Sequence, residues 1–167
     1  MKKVLAILLP LALAACEDSL DFVYNERVSQ ALAQNMQQFD RDHRLFLDGG
    51  FDITSPSTRD LRLEQLRRQI DDLELALDQV EKLRHSDNAE RFSRNLSGYY
   101  ELQVGYYQNL RRYLRATDKA KRDGLAEELQ ASYVLLSAAP DRLFNSQKKF
   151  MEKSGLPSEP APAATGG

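Results

Sequence analysis

The chain has 167 residues, of which 42% are hydrophobic and 29% charged, a balance that excludes a disordered polymer and suffices for one packed domain. Its 23 basic and 25 acidic side chains leave no positive excess with which to displace counterions from a phosphate backbone, which excludes a general nucleic-acid binder. A single cysteine, Cys16, excludes a disulfide framework, so the folded part must be held by packing alone.

The first element is Met1 to Cys16. Lys2 and Lys3 form a positive start, Val4 to Leu13 is an apolar run with Pro10 inside it, and small residues Ala14 and Ala15 precede Cys16. That is the layout of a secretory signal, too short to span a membrane as a stable helix. Leu13-Ala14-Ala15-Cys16 resembles the lipobox of bacterial lipoproteins. The resemblance implies that the Cys16 thiol is alkylated by diacylglycerol and that residues 1–15 are removed. Three acyl chains on one residue make an effectively permanent anchor. Glu17, in place of the aspartate that retains enteric lipoproteins in the inner membrane, implies sorting to the outer membrane, on its periplasmic face. Loss of Lys2 and Lys3 leaves about 150 residues with 21 basic and 25 acidic side chains, a net charge near −4.

From Asp18 to about Leu47 the pattern is helical, with Leu32, Met36, Phe39, His43 and Phe46 at steps of three and four. Gly49 and Gly50 stop it, and 48–58 is a loop by composition. A second helix starts here, which Ser55 or Ser57 can cap and whose first turn tolerates Pro56. Its seam of Leu63, Leu66, Ile70, Leu73, Leu77 and Val80 has coiled-coil spacing, and Leu61, Leu75 and Leu83 widen the stripe to more than one neighbour. A bundle fits this better than a solitary coiled coil.

His85-Ser86-Asp87-Asn88 breaks the second helix, and Asp87 with Glu90 makes a capping-box-like start for a third, to about Ala116. Phe92, Leu96, Tyr99, Tyr106, Leu110 and Tyr113 form its stripe, interrupted by Gln103. Gly98-Tyr99-Tyr100 returns as Gly105-Tyr106-Tyr107, and two interior glycines on one face suggest close approach of a neighbouring backbone or ring. After Thr117-Asp118 a fourth helix carries Leu125, Leu129, Ser132, Tyr133 and Leu136 inward. Pro140 is a place to kink or restart, and Leu143, Phe144, Phe150 and Met151 continue the face to Lys153. Ser154-Gly155-Leu156-Pro157 reads as a glycine C-cap, and the Pro, Ala and Gly of 158–167 as a disordered tail, so residues 154–167 close the chain outside the bundle.

The expected architecture is all-α, an antiparallel up-and-down four-helix bundle of long helices over 16–153. Rods of roughly 40 Å rising from Cys16 put the turns at 48–58 and 115–122 far from the membrane. The turn at 85–88 and the tail fall near it.

No enzyme motif is present, and no cofactor or metal site is expected. His43 lies near Asp40, Asp42 and Asp48, an arrangement that suits a hydrogen-bonded histidine near a helix end better than a ligand set. Asp71-Asp72 and Glu127-Glu128 point to different sides of their helices, and Ser93 and Ser97 have no base that the sequence positions. Arg111, Arg112, Arg115, Lys119, Lys121 and Arg122 cluster at the end of the third helix and across its turn. They serve either as dipole-complementing, solubilising cations or as a surface for an anionic partner, such as peptidoglycan or an envelope protein. Tyr99 and Tyr106 are either core residues or the wall of a groove. The reading is a non-catalytic, lipid-anchored binding or assembly-assisting envelope protein. A carrier of a small apolar ligand, in a cavity between the third and first helices, is the alternative, and an enzyme a more distant third.

Overall fold

A computed structural model describes the backbone of residues 8–157 and the side chains of 20–157. Residues 1–7, the Cys16 side chain and the 158–167 segment lie outside the described residues. Four helices, α1 (Leu8–Leu47), α2 (Pro56–Lys82), α3 (Glu90–Arg115) and α4 (Lys119–Lys153), and one 3-10 turn (Asp87–Ala89) make up the architecture, with no strand among the described residues. The fold is the expected all-α four-helix bundle.

α1 starts ten residues before Asp18, because the run of Leu and Ala ahead of it has high helix propensity and Pro10 falls in the tolerated first turn. Its inward stripe begins earlier than the sequence suggests, at Asp21, Tyr24 and Val28, and continues through Leu32, Phe39 and His43. It ends in a Schellman turn. Gly49 adopts φ +74°, and the Gly49 and Gly50 amides donate to the Phe46 and Leu45 carbonyls at 3.1 and 2.8 Å. The loop that follows folds Phe51 into the core, with the Arg62 guanidinium over its ring at 5.4 Å.

α2 buries Leu66, Ile70, Leu73 and Val80 and half-buries Leu63 and Leu77, as the heptad spacing requires. The wider stripe does not form. Leu61 and Leu75 are 61% and 55% exposed, and of the three flanking leucines only Leu83 packs on the core. The start of α3 also differs from expectation, since the capping side chain is Ser86, whose hydroxyl accepts from the Asn88 amide at 3.2 Å. Asp87 is displaced from that role because the chain inserts a 3-10 turn before the α-helix.

α3 is the most buried element. It packs along both α2 and α4, and Tyr100, Gln103 and Tyr107 are buried together with the predicted stripe, of which only Tyr113 is half-buried. α1 joins α4 through Tyr24, whose ring meets Phe150 edge-on at 6.0 Å, and through the Gln147 amide, which donates to Asn25 and Ser29. The glycine expectation fails: a Cβ at Gly98 or Gly105 would meet nothing within 4 Å, so neither marks a close approach of a neighbouring backbone or ring. α4 begins at Asp118, which caps the Lys121 amide at 2.9 Å, and runs through Pro140 without interruption. Phe144, expected inward, is exposed, and Ser132 is half-buried with its hydroxyl donating to the Glu128 carbonyl at 2.9 Å. A second Schellman turn ends it, with Gly155 at φ +64° and the Leu156 amide on the Met151 carbonyl at 2.9 Å.

Candidate functional site

The bundle has two chemically different ends. At one of them α1 finishes, α2 starts, and the α3–α4 turn gathers the predicted cations. Arg122 is fixed there: its guanidinium lies over the Tyr113 ring at 4.8 Å, donates to the Tyr113 hydroxyl at 3.1 Å and pairs with Asp52. The Tyr113 hydroxyl in turn donates to Asp52 at 2.7 Å, so the 48–55 loop is bolted to the α3–α4 turn. Burial raises the Tyr113 pKa, and Asp52 beside the hydroxyl adds to the effect. Arg112 reaches Glu128 at 3.4 Å and Lys119 reaches Asp123 at 2.6 Å, both pairs exposed and therefore weak. Arg111, Arg115 and Lys121 have no carboxylate partner among the described residues. Six predicted cations thus divide into three that are paired within the bundle and three without a carboxylate partner among the described residues.

Asp21 organises the opposite end. Its carboxylate is 2% exposed and accepts from the Ser86 amide at 2.9 Å, the Ser86 hydroxyl at 2.6 Å and the Ser154 hydroxyl at 2.6 Å. Burial alone would raise its pKa, but these bonds outweigh burial and hold the carboxyl below its ordinary value. One side chain therefore ties the root of α1 to the α2–α3 turn and to the end of α4. Sequence reasoning missed it, because an aspartate just past a leader reads as a solvated residue.

Between the ends, the tyrosines belong to the core. Tyr99 and Tyr106 are buried rather than lining a groove, and their hydroxyls meet the Gln103 amide at 3.2 Å and His43 Nδ1 at 2.8 Å. Tyr107 donates to Asp42 at 2.8 Å. His43 is fully buried, stacked face to face on Tyr133 at 3.6 Å, and burial lowers its pKa. No group of three metal-ligating side chains occurs among the described residues. Ser93 and Ser97 share a surface groove with His85 and Glu90, but the His85 Nδ1 is engaged with the Ser86 carbonyl at 2.9 Å.

A cleft of about 540 Å³ lies between α1 and α2, and Tyr100 of α3 contributes to its lining. No described helix is long and apolar enough to cross a membrane. Comparison of the chain with known protein families, with curated proteins and with solved structures gives no match in any of the three.

Proposed function

We propose that this chain is a lipid-anchored envelope protein, tethered through Cys16 to the periplasmic face of the outer membrane, that presents its basic end to an anionic partner as a binding or assembly-assisting module. The observation that carries the reading is the Asp21 clamp. It lies five residues after the lipobox cysteine and at the end opposite Arg111, Arg115 and Lys121. From Asp21 to Leu47, α1 rises roughly 40 Å at 1.5 Å per residue, so an anchor at Cys16 holds the unpaired cations well beyond the reach of the anchoring leaflet's own headgroups. Cations without internal partners suit recognition of carboxylates, as on an acidic protein or on peptidoglycan peptides.

The test is crosslinking in living cells from a photoreactive residue placed at Thr117. The wild-type chain should give a discrete envelope adduct. The triple variant Arg111→Glu, Arg115→Glu, Lys121→Glu should lose it while keeping its helicity. An adduct of unchanged yield in the variant would reduce the cluster to solubilising charge.

A further inference from the structure

We propose that the cleft between α1 and α2 is a binding site for a single-chain anionic amphiphile of the long-chain fatty acid class. Its volume of about 540 Å³ falls among those of small-ligand sites. The cleft exists because Ala31 and Ala76 line it from the two helices, where larger side chains would interlock and fill the space. Buried Val28 and Val80 and the Tyr100 ring make its base apolar.

The rim selects the head group. Arg27 and Lys82 stand on it, flanked by Gln30 and Gln79. Lys82 already pairs with Asp78 at 2.7 Å, whereas Arg27 has no carboxylate partner among the described residues. A guanidinium left in this state offers a forked donor to a carboxylate. A fatty acid brings both an acyl chain for the apolar base and a carboxylate for Arg27, while a plain hydrocarbon brings only the first. The site lies on the flank of the bundle, away from the basic end, and does not depend on the adaptor reading.

Photolabelling of the full chain in its native membrane tests the assignment. The probe is a long-chain fatty acid carrying a diazirine and an alkyne, and adducts should map to the segments around Ala31 and Ala76. Ala31→Trp and, separately, Ala76→Trp fill the slot and should reduce labelling to background with thermal unfolding unchanged. Arg27→Glu should reduce it about tenfold, the loss of one charge-assisted contact. Equal labelling in a folded slot-filling variant, adducts confined to other segments, equal labelling by the corresponding fatty alcohol, or labelling only by a two-chain phospholipid bearing the same diazirine would each overturn the proposal.

Discussion

Asp21 and His43 show how two buried polar side chains come to opposite electrostatic ends. Asp21 keeps its charge because three donors replace its water, and Asp21→Ala should cost about 3 kcal/mol, since the Ser86 amide would lose its acceptor in a closed joint. Urea unfolding measures that loss, and a change below about 0.5 kcal/mol would deny the clamp its role. Because the folded pKa of Asp21 lies below the ordinary one, its contribution is complete above about pH 4 and is lost as pH falls through the lowered value. An Asp21→Asn chain should therefore lose less stability than the wild type on acidification over that range. His43 has the other sign of behaviour. It is buried neutral with a lowered pKa, so below about pH 6.5 the unfolded chain binds a proton that the folded chain refuses, and stability falls with pH. His43→Gln, which keeps a partner for the Tyr106 hydroxyl, should flatten the melting temperature between pH 6.5 and 5. A profile as steep as that of the wild type would place the titrating group elsewhere.

The helices repeat the lesson at the scale of elements, where period is legible and depth is not. The α2 seam was readable because Leu66, Ile70, Leu73 and Val80 follow one another at steps of four, three and seven, the spacing of a heptad, and all four are buried. Leu61 and Leu75 carry the same residue type and lie in solvent, because a leucine's identity does not say whether a neighbouring helix reaches it. Leu73→Ala should accordingly cost about 2–5 kcal/mol by chemical denaturation, and Leu75→Ala less than about 0.5 kcal/mol. Equal costs would contradict the observed facing of α2. The glycine repeat was legible as a repeat, but its meaning was not. Gly98 and Gly105 have open space where a side chain would go, so each alanine replacement should stabilise the chain by about 1 kcal/mol, and destabilisation would reveal a contact the fold does not contain. The candidate sites divide in the same way. The cation cluster could be found from residue type and proximity in sequence. The Asp21 joint could not, since Ser86 and Ser154 lie 65 and 133 residues from it. The α1–α2 cleft was equally hidden, because it depends on two alanines that meet only in three dimensions.

At the scale of the whole molecule, the bundle is a rod with one end clamped by Asp21, an opening on its flank and a basic end opposite the clamp. The up-and-down order follows from short connections, which bring successive helices back antiparallel and put the Asp52–Arg122 contact and the Asp21–Ser154 contact at opposite ends. In the proposed function, a tether at Cys16 makes one end proximal and leaves the other free to meet a partner. The proposed envelope address and the separation of Arg111, Arg115 and Lys121 from the anchoring lipid both rest on that tether. The direct measurement is membrane fractionation combined with metabolic labelling by an alkyne fatty acid, comparing the wild-type chain with Cys16→Ser. The account predicts that the wild type is labelled and sediments with outer membranes, while Cys16→Ser is unlabelled and is recovered in the soluble fraction or as an uncleaved precursor. A Cys16→Ser chain that is cleaved, labelled and sedimented like the wild type would contradict it.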